Sequence, residues 1–348
     1  MGKGVSSLVS TRILYFILLL ALSVAPVAAQ FSPFRPLPAQ PPIPDDNVQS
    51  PAKIALGKTL YFDPRLSGSG RTTCQQCHNL AYGAADGMAY STGDDGTLTK
   101  RSAPTLWNVG FYTIWFWDGR AATLEDAVER HLMETNAMNG GSAEELSRRI
   151  SAISGYGEQF RAAFGSDAVN SQSIAQALSS FLRTLVTQDS AFDRFLRGDK
   201  TALTETQQRG FEVFVDSGCA SCHFWVSLAG PVPGLAFQIG EGFYELFPNY
   251  PDAPSDRKYK FSADLGRFHV TGDEADKRLF RVPTLRNVAH TAPYFHNGAV
   301  TTLKEAVRVM AEAQLRVDFS DAQLDDVVAF LNSLSGQYPP ISVPQLPQ

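Results

Sequence analysis

Apolar residues recur at three- and four-residue spacing through 144–152, 171–196, 204–217, 302–313 and 320–334, and this period predicts helices there. Ile54, Leu56, Leu60 and Tyr61 carry the same pattern into the turn-rich run FDPRLSGSGRTT, residues 62–73. Thr123, Thr302 and Ser320 each stand just before a helical stretch and are expected N-caps, because a side-chain oxygen there accepts from the first free backbone amides. Alternating strand patterns are few. Between the helical segments lie long Gly- and Pro-rich stretches such as 230–255, and loops of that length commonly line a site or wrap a cofactor. The pattern predicts a mainly helical, loop-rich chain.

One phrase occurs twice. PTLWNV begins at Pro104 and PTLRNV at Pro283; FWDGRAATLEDAVERHLM begins at Phe116 and FHNGAVTTLKEAVRVM at Phe295. The offset is 179 residues at Pro104/Pro283, Gly119/Gly298, Thr123/Thr302 and Val128/Val307, so the two phrases align without a gap. That is the mark of a duplicated module. A chain of 348 residues can hold two domains, each burying its own core. We expect an N-terminal domain over 52–197, a C-terminal domain over 198–337 and a tail over 338–348.

Ahead of them, Lys3 and Arg12 precede an apolar run from Ile13 to Val27 and small residues at Ala28 and Ala29. This reads as a signal peptide over 1–29, and the run is short against the roughly 20 residues of a spanning helix. An exported, periplasmic protein with no membrane span after processing is expected. Residues 30–51 are Pro-rich and suit an extended linker rather than core. With 30 basic and 35 acidic residues and no basic run, the chain has nothing to follow a phosphate backbone, so nucleic acid is not an expected partner.

All four cysteines fall in CQQCH (Cys74, Cys77, His78) and CASCH (Cys219, Cys222, His223). C-x-x-C-H is the attachment signature of a c-type haem: two thiols bond the porphyrin edge and the next histidine ligates iron. A zinc ribbon would separate its two pairs by about 15–20 residues, whereas roughly 140 intervene here. A thioredoxin-like motif would need a βαβ context. Structural disulfides stay open on spacing alone in an oxidising compartment. Two haem c groups, one per module, are the reading that also explains both histidines.

The repeat then makes a chemical statement. Ala306 and Met310 lie four apart on one helix face, as do Ala127 and His131, and Met310 is the repeat equivalent of His131. A thioether facing the second haem is a natural sixth ligand that raises its potential, although methionine on an apolar face is most often core filler.

These ordered motifs, from LGKTLYFDPRLSGSG through CQQCH, RSAPTLWN, FWDGRAATLE, CASCH and VPTLRNVAHTAPYFHNG to LDDVVAFLNSLSG, resemble those of the bacterial dihaem cytochrome c peroxidases and their MauG-type relatives. The resemblance implies two cytochrome c-like helical domains, each holding one covalent haem. It implies reduction of hydrogen peroxide at the first haem, with electrons from a small cytochrome c or cupredoxin passing through a His223/Met310 haem. Trp117 matches the tryptophan between the haems. The resemblance also implies a homodimer, and a calcium ion held through backbone oxygens at Thr291 and Pro293, with Ser102 where the family usually has Asn. His296 occupies the place of Trp117 in the second copy and is expected near the second haem.

Departures from the family pattern are equally specific. The family's capping histidine after the first haem motif falls at Asp94, and its distal Gln and Glu fall at Ala127 and Ala137. MauG-type members replace the methionine by Tyr, whereas this chain keeps Met310. His131 is the candidate for the vacated face, as proton-transfer group or sixth ligand, with Glu134 assisting; the competing reading puts it on the solvent side. Arg101 and Arg120 are candidates for haem propionates or plain salt bridges. Tyr82, Met88 and Tyr90 lie on the loop after the first haem, and His269 and His290 receive no role. Two alternatives to peroxide reduction stand beside it: MauG-type oxidation of side chains in a partner protein, and a non-catalytic electron carrier.

Overall fold

A computed structural model describes Met1, residues 33–230 and residues 243–348. The expected signal peptide lies outside the described residues. The chain is mainly helical: α1 Pro51–Tyr61, α2 Cys74–Cys77, α3 Leu124–Met133, α4 Ala143–Ser151, α5 Ser154–Phe164, α6 Ser171–Leu182, α7 Ala191–Leu196, α8 Glu205–Asp216, α9 Pro254–Tyr259, α10 Phe268–Thr271, α11 Leu303–Met310 and α12 Asp321–Asn332. Two three-residue strands, β1 Tyr244–Leu246 and β2 Leu279–Arg281, pair antiparallel with Tyr244 opposite Arg281. No helix among the described residues is long and apolar enough to cross a membrane.

The expected caps form. Thr123, Thr302 and Ser320 accept from the backbone amides of Asp126, Glu305 and Gln323. α11 runs on into a π-helical turn, Ala311–Leu315. The predicted segment 171–196 is broken: α6 ends at Leu182, and Ser190 restarts the chain as N-cap of α7 through a capping box with Asp193.

In each module the helix preceding the C-x-x-C-H turn packs tightly against the last helix. Gly57 on α1 packs so tightly that a Cβ would stand 1.9 Å from the carbonyl oxygen of Ala177 on α6. Gly210 on α8 meets the carbonyl oxygen of Asp326 on α12 at the same 1.9 Å. Only glycine permits that approach. One core gathers Leu56, Trp107, Leu132, Tyr156, Phe160 and Phe181; the other gathers Phe214, Val307, Phe330 and Leu331.

The duplication is visible in backbone detail. Asn108 and Asn287 both adopt left-handed φ, 64° and 59°, as do Phe116 and Phe295 at 64° and 70°. Trp115 bridges Ala121, and Tyr294 bridges Val300. Thr105 and Thr284 each donate their hydroxyl over 2.6 Å, to the carbonyls of Gly83 and Ser227. The two asparagines meet at one atom: both side-chain amides donate to the hydroxyl oxygen of buried Thr187, at 2.9 Å and 2.8 Å.

Packing crosses two of the expected boundaries. The Pro-rich stretch is extended but not merely a linker: Phe34 and Leu37 are buried, and Phe34 packs its ring edge-on against Phe192 and Phe211. Proline lacks an amide donor to satisfy, so such a segment can lie against a surface while inserting alternate side chains. Phe192 itself belongs to the second core, so α7 joins the second module although it precedes residue 198. The tail reaches back to the first module, where the amide of Gly155 and the Ser154 hydroxyl donate to the terminal oxygen of Gln348 and Ile341 packs on the first core.

Candidate haem sites and the wall between them

The first C-x-x-C-H forms a single helical turn, opened by Thr73 and Gln76 in a capping box. It places Cys74, Cys77 and His78 on the wall of a cavity of about 1110 Å³. His78 Nδ1 lies 3.0 Å from the carbonyl of Pro104; a carbonyl only accepts, so Nδ1 carries the hydrogen and Nε2 keeps its lone pair. Burial holds the imidazole neutral, pushing it down to about 4, and pushes the Cys74 thiol up to about 12. Tyr61 braces the turn by donating to the carbonyl of His78 over 2.5 Å.

CASCH repeats the arrangement around a narrower cavity of about 230 Å³. His223 Nδ1 lies 2.9 Å from the carbonyl of Leu228, and burial pushes this imidazole too down to about 4. Met310, with Ala306 one turn before it, lines the same cavity from α11. All four thiols are free, which removes the disulfide reading for this structure. Paired thiols and a neutral imidazole on one wall, with apolar residues on the others, fit a covalently held haem in each cavity.

Trp117 lines both cavities. Its Nε1 donates to the carbonyl of Ser102 over 2.9 Å, and its ring meets His296 edge-on at 6.4 Å. His296 also lines both, is only 3 % exposed, and stacks on Phe280 at 4.4 Å, its Nε2 without a hydrogen-bond partner among the described residues. Sequence reasoning missed Arg281, which shares this wall. It is 6 % exposed, donates to the carbonyl of Phe116 at 3.1 Å, lies 4.5 Å over the Tyr112 ring and has no carboxylate partner among the described residues. Its signal was weak, since LFRVP reads as a buried strand with one charge.

On the far side of the first cavity, α3 brings the His131 ring within 5.9 Å of the His78 ring. The solvent-side reading of His131 is thereby excluded as a full description: its side chain is one-third exposed, yet it lines the cavity. Glu134 Oε2 is 3.8 Å from His131 Nδ1, beyond hydrogen-bond length, and the adjacent imidazole with the charge of Arg120 holds its carboxyl below the usual range. Ala127 and Ala137 line the cavity as small buried residues. Asp94 does not line it; its carboxylate accepts from the amide and hydroxyl of Ser69.

Arg101 and Arg120 line the first cavity and are engaged there by protein carboxylates, the salt-bridge alternative of the two expected for them. Arg101 bridges Asp118 and Asp264, each at 2.6 Å, and Arg120 joins Asp118 at 3.0 Å to Glu134 at 3.1 Å. The chain of alternating charge follows from three acids packed beside two arginines. Tyr90 lines the cavity, whereas exposed Tyr82 and Met88 line neither. His269 stands 3.6 Å from Asp264 and His290 packs near Tyr338.

Thr291 and Pro293 lie on the wall of the second cavity and Ser102 on both walls. Ser102 already gives its carbonyl to Trp117, and no group of three carboxylate, imidazole or thiol side chains gathers among the described residues.

Two duplicated helical modules, each with a C-x-x-C-H turn at a buried cavity and one tryptophan between, define a dihaem c-type cytochrome. The profile of di-haem cytochrome c peroxidases matches residues 51–201, and that of cytochrome c matches 207–335. Cytochrome c551 peroxidase of Nitrosomonas europaea is 37% identical over 324 residues, 93% of this chain and 90% of that protein. Cytochrome c551 peroxidase of Pseudomonas aeruginosa is 37% identical over 90% of this chain and 87% of its own. A crystal structure of a MauG-like protein associated with microbial copper homeostasis superposes with a TM-score of 0.75 at 29% identity, covering 85% of this chain and 93% of that one. The chain belongs to the dihaem cytochrome c peroxidase family.

Proposed function

We propose that the chain is a dihaem c-type peroxidase that reduces hydrogen peroxide to two waters, consuming two electrons and two protons. The observation that carries this reading is Trp117, an aromatic held by Ser102 in the wall common to both cavities. Haem, when bound, supplies the electron chemistry that cleaves the peroxide bond. The residues of the chain do the rest. Cys74, Cys77, Cys219 and Cys222 anchor the two groups, while His78 and His223 present fixed lone pairs. Met310 closes the second site against exogenous ligands and reserves it for electron passage.

At the first cavity His131 and Glu134 form the proton-handling pair: the imidazole takes a proton from peroxide and returns it to the departing oxygen, with Glu134 on its Nδ1 side. Arg281, a buried cation without a protein carboxylate partner among the described residues, pairs with the acidic edge of the bound haems; otherwise its burial carries a desolvation penalty of several kcal/mol. Electrons enter at the second module from a small cytochrome c or cupredoxin in the periplasm, to which residues 1–29 direct the chain.

Met310 favours this reading over MauG-type oxidation of a partner protein, in which a Tyr would stand at that position, and the cavity of about 1110 Å³ favours it over a sealed carrier. The test is steady-state peroxide consumption with reduced small cytochromes or cupredoxins as donors. The wild-type chain turns over, and Trp117→Phe slows oxidation of the second haem by peroxide at least about tenfold, about 1.4 kcal/mol of barrier. A chain that consumes no peroxide with any reduced donor is not a peroxidase.

A further inference from the structure

The first cavity holds two facing imidazoles. Two imidazoles trans on one metal, at bonds of about 2.0–2.1 Å, place their ring centres roughly 6 Å apart. His78 and His131 are 5.9 Å apart, centre to centre, with ring planes at 64°. The ring of His131 is also oriented for that use: Glu134 lies on its Nδ1 side, so Nε2 is the nitrogen left for the cavity. A ligating histidine ordinarily has its second nitrogen held by a carboxylate, and Glu134 is in turn held by Arg120 at 3.1 Å.

The repeat supplies an independent argument. α3 and α11 begin at equivalent residues, Leu124 and Leu303, behind equivalent caps, Thr123 and Thr302. His131 therefore stands in the slot from which Met310 enters the second cavity, and Ala127, like Ala306, leaves the turn before it clear. Asp94 does not fill the position from the loop side, because it is bound to Ser69 outside the cavity.

We infer that His131 Nε2 is the resting sixth ligand of the first haem, so that the cap is carried by helix α3 and shares its residue with the proton-handling group. This rests on the peroxidase reading and adds a state to it. At rest the imidazole closes the iron; to react it moves off and stays beside the site, where Glu134 keeps its Nδ1 side fixed. α3 ends two residues after His131, at Met133, with Glu134 as its C-cap, and backbone bonds from Gly140 to Leu132 and from Ala137 and Asn139 to Glu134 hold that end in place, so the movement belongs to the His131 side chain.

The experiment uses the intact dihaem protein and reads spin state rather than turnover. Electron spin resonance and visible spectra of the oxidised wild type show two low-spin haems. His131→Gly converts one of them to high spin, and added imidazole restores the low-spin signal. Cyanide binding to the first haem tightens at least about tenfold in the variant, because the closed fraction no longer reduces apparent affinity. Glu134→Gln keeps the low-spin pair but weakens the cap, shifting a fraction to high spin. A high-spin first haem in resting wild type, or a low-spin pair that survives in His131→Gly without added imidazole, overturns the inference. Either result leaves peroxide turnover, measured on the same samples, free to stand or fall by itself.

Discussion

Arg286 and Asp193 form an ion pair at 2.9 Å with side chains 1 % and 0 % exposed, and its loss is the sharpest stability prediction the fold allows. Asp193 also accepts from the amide of Leu37 at 2.9 Å and from the amide and hydroxyl of Ser190. Arg286 donates to the carbonyl of Val226 at 2.5 Å. The pair thus fastens the N-terminal segment, the start of α7 and the PTLRNV loop to one another. Arg286→Met leaves the carboxylate three neutral donors but no counter-charge, and breaking a buried pair in this way costs about 3–5 kcal/mol. At about 2–4 °C for each kcal/mol, the melting temperature falls by roughly 6–20 °C. Urea unfolding followed by far-ultraviolet circular dichroism measures it, together with Asp193→Asn and the double variant. The double variant loses less than the sum of the singles, by a coupling of about 2–3 kcal/mol. Additive losses, or an Arg286→Met variant within about 0.5 kcal/mol of wild type, would refute the assignment of a buried charge pair.

Thr187→Val keeps the shape but leaves the side-chain amides of Asn108 and Asn287 without an acceptor, and urea titration should show a loss of roughly 2–4 kcal/mol. His296 is pushed down to about 4 by burial, so it is held neutral; its contribution is intact above about 6.5 and is lost as pH falls towards 4, because the unfolded chain takes up the proton first. In His296→Phe the stability-against-pH curve over that window flattens, by on the order of 3 kcal/mol; an unchanged slope would place the titration elsewhere. Arg281→Gln removes a cation from the wall between the cavities, and spectroelectrochemical titration should find haem potentials lowered on the order of tens of millivolts, with Arg281→Lys retaining most of the wild-type values.

Local chemistry was legible in the sequence wherever a residue acts on its own neighbours. The caps at Thr123, Thr302 and Ser320, the two C-x-x-C-H turns and the 179-residue repeat all express short-range geometry, and the structure reproduces them. What pairs across long separations was not legible. Arg101 reads equally as a propionate partner or a salt bridge until Asp264, distant in sequence, is seen 2.6 Å away. Arg281 and Arg286 look like surface charges inside apolar phrases, and only packing shows that both are buried. The Pro-rich segment misled for a related reason: proline reports backbone stiffness, and stiffness says nothing about whether Phe34 finds a partner in α7. α5 escaped because SGYGEQFRAAF places two glycines in its first turns, which weakens the helical signal although Tyr156 and Phe160 anchor it.

The oxygen of Thr187 takes a hydrogen bond from each copy of the repeat. A hinge that swung one cavity away from the other would first have to strip an amide from that oxygen, at about 1–3 kcal/mol for each buried donor left bare. On the peroxidase reading proposed above, the spacing between the cavities at Trp117 is therefore set when the chain folds and not retuned in each cycle. In that reading, whatever throttles the protein acts at the ends of the path, on the occupancy of the first site or the arrival of the donor, and not on the path's length.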